Sequence, residues 1–100
     1  MRDFTEPEPV IGIKAIASAT SVAVSWTAPT GQKMTAYQVE LKGVANTRKT
    51  VEDTSTTFAN LLPRKAYTVV VSPMSGRVVG DPAEETFTTS NLLSPFVLML

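Results

Sequence analysis

The sequence predicts an all-β protein, a two-sheet antiparallel β-sandwich of seven strands. Short segments in which apolar and polar residues alternate recur along the chain, separated by turns that contain glycine or proline. No segment shows the apolar period of an amphipathic helix. The run from Leu61 to Val71 reads Leu-x-Pro-x-x-x-Tyr-x-Val-x-Val. This pattern indicates a corner followed by a half-buried strand, as in sandwiches whose strands cross between sheets.

Length and charge favour one small domain. One hundred residues are enough for a single core. We expect a proline-rich acidic lead-in over residues 1–8, the domain over residues 9–89, and an apolar tail outside the domain over residues 90–100. Nine basic residues balance nine acidic ones. No overall field would therefore draw the chain to nucleic acid or to an anionic membrane.

The residue types present do not favour catalysis. Cysteine and histidine are absent, which excludes disulfides and thiolate metal sites and removes the usual general base. Glu84 and Glu85 are adjacent in a predicted strand, so their carboxylates point to opposite faces and cannot share a proton. We expect no enzyme activity, no cofactor and no metal.

The first three strands carry clear alternation. The first covers Val10 to Ala17, with Ile11, Ile13 and Ile16 as apolar anchors. Because Ile16 breaks the period by one residue, we expect a bulge near Lys14.

In the second strand, Ser21 to Thr27, Trp26 faces the core together with Val22 and Val24. In the third, Thr35 to Lys42, Tyr37 turns inward.

The remaining strands are shorter or bounded by turns. Thr47 to Val51 is a predicted edge strand, whose Arg48 and Lys49 oppose pairing with another chain. Ser55 to Asn60 brings Phe58 into the core. Three further segments complete the domain: a strand over Lys65–Ser72, a loop over Pro73–Asp81 and a last strand over Pro82–Thr89. The side chains expected to form the structural core include Trp26, Tyr37, Phe58, Leu61 and Tyr67.

The features that carry a family resemblance are Trp26, the corner of Leu61, Pro63 and Tyr67, and the strand of Tyr37, Val39 and Leu41. Over Pro9 to Thr89 the chain resembles the fibronectin type III domain. The resemblance implies three strands in one sheet and four in the other. Arg64 stands where the family usually has glycine after the corner proline, which predicts a tighter or reshaped turn. The runs Phe58–Leu61 and Gly80–Thr89 look most like those of tenascin-type repeats.

The resemblance implies a non-catalytic structural and protein-interaction module, one repeat of an extracellular matrix or cell-adhesion protein. Such a repeat spaces its neighbours and presents loops and sheet faces to matrix or cell-surface proteins. The alternatives are an engineered loop-display scaffold and an accessory domain of a microbial or phage protein. An engineered binder usually has tyrosine-rich loops. The loops over residues 28–34 and 75–81 contain no aromatic residue.

Two surface groups are candidate binding sites. Gly76, Arg77, Val78, Val79 and Asp81 form a predicted contact loop. It lacks the Arg-Gly-Asp tripeptide that this loop sometimes carries in the family, so integrin binding through the tripeptide does not carry over. A flexible hairpin loop is the simpler interpretation.

The second group is basic: Lys42, Arg48 and Lys49 lie on one predicted hairpin and could bind sulfated glycans by charge. Edge protection explains the same residues, and Glu40 weakens the positive charge.

The tail is wholly apolar from Phe96 to Leu100 and falls outside the family pattern. It is too short to span a bilayer, which requires about 20 residues. We consider an extension outside the domain, an added strand, the start of a membrane segment, and self-association through the tail.

Overall fold

A computed structural model describes residues 8–29, 34–43 and 47–91, and within these ranges the chain forms eight strands and no helix. The strands are β1 (Ile11–Ala17), β2 (Val22–Thr27), β3 (Ala36–Lys42), β4 (Arg48–Val51), β5 (Ser55–Phe58), β6 (Ala66–Ser75), β7 (Val78–Val79) and β8 (Ala83–Thr88). The predicted lead-in up to residue 7, residues 30–33 and 44–46 of two predicted turns, and the tail from residue 92 lie outside the described ranges.

The strands form two antiparallel sheets, which confirms the predicted sandwich. One sheet has the order β1-β2-β5. The other has the order β4-β3-β6, with both β7 and β8 paired to the far side of β6. The chain changes sheets between β2 and β3, between β4 and β5, and between β5 and β6.

The predicted loop over Pro73–Asp81 is largely a hairpin. Its second arm, β7, is the strand by which the structure exceeds the seven that were predicted. Strand β6 continues to Ser75, and β7 returns beside it with Val78 opposite Ser75. Gly76 has a φ of 63°, which glycine adopts without steric cost. A glycine at the first of two turn residues is the signature of a type II′ hairpin, whose twist matches that of the flanking strands.

The core lies between the sheets and follows the alternation of the strands. Its buried side chains are Val10, Val22, Val24, Trp26, Tyr37, Val39, Leu41, Phe58, Leu61, Tyr67, Val69, Val71 and Phe87. The Trp26 ring packs edge-on against Tyr37, with their centroids 5.4 Å apart. The rings of Tyr67 and Phe87 are stacked at 5.7 Å. Such aromatic contacts join side chains from both sheets or from neighbouring strands into one core.

Strand β1 contains a bulge, as predicted, but earlier in the strand than expected, and two of its three predicted apolar anchors are exposed. The register against β2 shifts between Ile11 and Lys14, so the bulge precedes Lys14. Gly12, with a φ of 63°, supplies the backbone conformation that the bulge requires. Beyond the shift the odd-numbered residues face inward, so Ile13 is partly buried and Ile16 is 74% exposed. Ile11, before the shift, is 53% exposed. Val10 is the buried residue at this end.

The tyrosine corner forms as the sequence predicted. The Leu62 N–H donates a hydrogen bond of 2.9 Å to the Tyr67 hydroxyl oxygen. The Tyr67 ring is 2% exposed and fills the core below the crossing from β5 to β6. The corner turn keeps a glycine-like backbone although it contains arginine, because Arg64 has a φ of 54°.

Replacing Tyr67 by phenylalanine keeps the ring and leaves the Leu62 N–H without its acceptor. Tyr67→Phe should therefore lower the free energy of unfolding by roughly 0.5–1.5 kcal/mol. Tyr37→Phe is the matched control, since no hydrogen bond joins its hydroxyl to another described residue. Denaturant midpoints of the three proteins measure the difference. Equal losses for the two variants would show that the corner hydrogen bond contributes nothing.

Replacing Arg64 by glycine should stabilise the fold, because glycine adopts the observed φ without strain. The relief of about 1–2 kcal/mol is partly offset by the greater freedom of glycine in the unfolded chain. We expect a net gain of about 0.5–1 kcal/mol in thermal or chemical melts. Asn60→Gly provides the comparison at a φ of 62°. Asparagine tolerates this region, so that variant should gain nothing.

Candidate interaction surfaces

The predicted contact loop is a hairpin held firmly against the start of β3. The Thr35 side chain accepts a hydrogen bond of 2.9 Å from the Gly76 N–H. The Thr35 N–H donates to the Met74 carbonyl at 2.8 Å, and its hydroxyl donates to the same oxygen at 3.1 Å. One threonine therefore binds both the end of β6 and the first residue of the turn. The segment is therefore a hairpin with hydrogen bonds to the start of β3.

The structure brings the five predicted contact residues together on this hairpin, and all of them are exposed. Val78 is 43% exposed and Val79 is 41% exposed. Beyond β7 the chain is fixed again, because the Gly80 N–H donates to the Pro73 carbonyl at 2.7 Å. Two apolar side chains are thus presented to solvent between an arginine, Arg77, and an aspartate, Asp81.

The hairpin lies at the pole where the chain enters the sandwich. Ala36, the first residue of β3, pairs with Met74 near the end of β6. The connection from β2 to β3 brings the end of β2 to this same pole, and Thr27 at the end of β2 pairs with Ile11 at the start of β1. A shallow groove of about 470 Å³ opens beside this entrance. Its lining residues are Glu8, Pro9, Val10, Ile11 and Pro29. The sequence analysis did not predict this groove, although Pro9 and Pro29, which line it beside Ile11, were a signal for it.

The basic group does not form one surface. Arg48 pairs with Glu40 on the outer face of the five-stranded sheet, and Lys42 follows Glu40 on that face. Lys49 pairs with Val39, which is completely buried, so Lys49 points to the inner side. The acidic Glu40 therefore lies between the two outward cations along this face, and the third cation is directed elsewhere.

Lys49 instead closes one side of the sandwich. Its Nζ donates a hydrogen bond of 2.7 Å to the Thr57 carbonyl of β5 and lies 4.6 Å from the centroid of the Phe58 ring. Strands β4 and β5 belong to different sheets, so the side chain joins two neighbouring edges. An ammonium group on an edge carbonyl occupies the place that a foreign strand would need. The inward direction of Lys49 follows from its register opposite the buried Val39, which the residue type of Lys49 does not indicate.

The described residues offer little reactive chemistry. No group of three or more acidic, histidine or cysteine side chains that could hold a metal ion occurs among them. Burial raises the pKa of the Tyr37 phenol above its ordinary value, so this hydroxyl stays neutral. The carboxylates of Glu84 and Glu85 lie on opposite faces of β8, paired with Val70 and Val69 respectively.

Across the described ranges, the structure contains no helix of the length and apolar character needed to cross a membrane.

The second pole, where the described chain ends, is a compact hydrogen-bond network. Thr89, the one buried polar residue of the described core, donates from its hydroxyl to the Leu62 carbonyl at 2.6 Å and accepts from the Lys65 N–H at 3.0 Å. The Ser90 N–H donates to the Ser18 carbonyl at 2.9 Å, and its carbonyl accepts from the Arg64 N–H at 3.1 Å. Ser90, expected in the tail, is therefore bonded to the sandwich.

In a comparison with sequence models of protein families, the model of the fibronectin type III domain matches residues 6–89. The chain belongs to the fibronectin type III family. Domains of this family occur in extracellular and other multidomain proteins and are generally non-catalytic. The tenascin-type subfamily stays a prediction. No curated protein matches the chain in sequence.

Solved structures share the fold of this fibronectin type III domain. The fn3 domain of the human collagen alpha-1(XX) chain is 20% identical with a TM-score of 0.78, covering 94% of this chain and 95% of that one. Domains d3–d4 of the rat CD45 extracellular region are 23% identical with a TM-score of 0.77, covering 85% and 51%. Domains A168–A170 of titin are 27% identical with a TM-score of 0.71, covering 86% and 33%. This domain thus spans about half and a third of the last two chains.

Removing the Lys49 amine should weaken the contact between β4 and β5 of this fibronectin type III domain. Lys49→Met keeps a long apolar side chain but leaves the Thr57 carbonyl without its donor. We expect a loss of roughly 1 kcal/mol in the free energy of unfolding. Arg48→Met removes the same charge from the outer face of β4 and should change stability by less than about 0.5 kcal/mol. If chemical melts give the same midpoint for both variants, Lys49 does not join the sheets.

Proposed function

We propose that this domain is a non-catalytic spacer and protein-interaction module, one repeat of an extracellular matrix or cell-adhesion protein. The observation that carries the proposal is the placement of the first and last described residues of the domain at opposite poles. The chain enters beside Thr27 at the start of β1 and leaves beside Ser18 just beyond its end. Strand β1 has seven residues, so the two poles are roughly 20 Å apart. A domain entered at one pole and left at the other extends a chain of repeats.

The ends are also firmly held, which a spacer requires. At the exit, Ser90 is hydrogen bonded to the β1–β2 turn through Ser18 and to the corner turn through Arg64. At the entrance, Val10 is 5% exposed and belongs to the core. A pull on either end is therefore passed directly to the sandwich and not to a loose segment.

The proposed contact with protein partners is the β6–β7 hairpin. Val78 and Val79 are exposed on a turn that Thr35 holds in place, so little conformational entropy is lost when a partner binds. Arg77 and Asp81 flank the valines with one charge of each sign, which suits a protein partner better than a nucleic acid or a membrane.

An extracellular location is supported by the structural similarity to the extracellular region of CD45. The family also occurs in intracellular proteins such as titin, and the crosslinking experiment below distinguishes the two locations. The glycan-binding prediction gains no support from the geometry, because the three cations do not share a face. Protein contact through the hairpin is the better-supported role.

A photo-crosslinking residue tests the hairpin contact. It replaces Val78 in one protein and Thr50, an exposed outer-face position on β4, in the control. Both proteins are applied to the surface of intact cells, to extracellular matrix and to cytosolic extract. We expect a discrete adduct from position 78 only, displaced by excess unlabelled chain and reduced at least tenfold by Arg77→Ala with Val79→Ser.

The same adducts from both positions, or none from position 78 in any of the three samples, would refute the hairpin as a contact site. Recovery of the position 78 adduct only from cytosolic extract would place the partner inside the cell and refute the extracellular assignment.

A further inference from the structure

Three large apolar side chains are exposed near the pole where the chain enters the sandwich. Ile11 is 53% exposed, Val78 is 43% exposed and Val79 is 41% exposed. Each alone is ordinary on a protein surface, so their arrangement matters more than their number. Ile11 lines the groove of about 470 Å³ beside the chain entrance, which we call the entrance groove. The two valines belong to the β6–β7 hairpin. The pole therefore combines an apolar depression with an apolar projection.

Strand pairing places the entrance groove and the hairpin at the same end of the sandwich. Thr27, at the end of β2, pairs with Ile11, and Pro29 two residues later also lines the groove. On the other sheet, Thr35 lies just before β3 and its hydroxyl accepts a hydrogen bond from the Gly76 N–H in the hairpin turn. Packed sheets lie about 10 Å apart. The groove and the hairpin are therefore neighbours, separated by roughly the thickness of the sandwich.

The entrance groove and the hairpin are complementary in polarity and in charge. Four of the residues that line the groove are apolar, and the fifth, Glu8, is a carboxylate. The exposed valines of the hairpin follow directly after the cation Arg77, whereas the buried Gly80 separates Val79 from Asp81. Opposite charges beside matching apolar surfaces favour and orient association. A volume of this size accommodates small ligands in other proteins, so the groove has room for two valine side chains.

The hairpin does not occupy the entrance groove of its own chain. Among the described residues, neither Val78 nor Val79 lines the groove. Hydrogen bonds keep the hairpin in its own sheet, since Thr35 binds the turn and the Gly80 N–H donates to the Pro73 carbonyl. A projection that fills the groove therefore comes from another molecule, and a second copy of this chain carries one.

We propose that two copies associate pole to pole, with the hairpin of each copy seated in the entrance groove of the other. The valines of each hairpin then contact Ile11 of the other copy, and Arg77 approaches Glu8. Two-fold symmetry makes each of these contacts occur twice and closes the assembly at two copies. This inference rests on the proposed function, because it names a second copy as a partner of the contact hairpin. Few residues contribute, so the association is weak and depends on concentration.

Charge reversal in the full-length chain tests the proposed contact. Arg77→Glu and Glu8→Arg each place like charges in both contacts, so each should raise the dissociation constant of the dimer about tenfold or more. An equimolar mixture of the two variants should recover the association of the parent, because both contacts then pair opposite charges. Arg48→Glu makes the same change on the outer face of β4 and should leave association unaltered. Sedimentation at graded concentrations measures all of these proteins.

Three results of this experiment would overturn the proposal. One is a parent chain that stays monomeric up to about 1 mM, the weak end of specific association. Another is association that neither charge reversal weakens, which would assign it to a different surface. The third is a pair of weakened variants whose mixture does not recover, since the two side chains then do not meet.

A crosslinking measurement on purified protein separates this inference from the proposed function. An isotope-labelled chain carries an aliphatic photo-crosslinking residue in place of Val78 and is mixed with the unlabelled parent. We expect adducts from position 78 to residues 8–11 of the unlabelled copy. Adducts within the labelled chain alone, or elsewhere on the unlabelled copy, contradict the pole-to-pole contact. If the purified chain forms no adduct but position 78 still captures a different protein on cells or matrix, the second copy is wrong and the hairpin remains a contact site.

Discussion

The crossing from β5 to β6 is the constraint on which the rest of the structure depends. These strands belong to different sheets, so the segment between them must leave one ladder and enter another with its backbone groups satisfied. Three elements supply the partners: Thr20 accepts from the Leu61 N–H, Tyr67 accepts from the Leu62 N–H, and Thr89 donates to the Leu62 carbonyl. The corner therefore holds the β1–β2 turn, β6 and the end of β8 in one arrangement, and the core packs within the spacing that they set.

Much of this arrangement was predictable because it depends on period and on a few specialised residues. Alternation in β2, β3 and β6 identified the buried face, and the tyrosine corner identified the crossing. Strand β7 was not predicted, because a strand of two residues is too short to show an alternating pattern. Its only sequence signal is Gly76, which lies between polar and apolar residues. The contact residues were found by type, whereas Thr35, which binds their turn, lies about forty positions away in sequence.

The face to which a side chain points could not be predicted from the local sequence in the edge strands β1 and β4. A bulge at Gly12 moved Ile16 to the outside, and only the pairing of β1 with β2 shows where the bulge lies. The residue type of Lys49 predicts an outward charge, but its register against Val39 directs it between the sheets. For both Ile16 and Lys49, the residue type predicts one face of the sheet and the register gives the other. The register decides, because the pairing with a neighbouring strand that has a buried face fixes the direction of each side chain.

The exposed apolar residues of this domain are distributed along its length in a way that bears on how it associates. The large ones in the described chain are Ile11, Ile16, Leu62, Val78 and Val79, and all lie at or near a pole. The outer face of the five-stranded sheet instead presents charges of both signs, among them Glu40, Arg48 and Glu84. Polar sides resist lateral aggregation, while apolar ends favour contact along the axis.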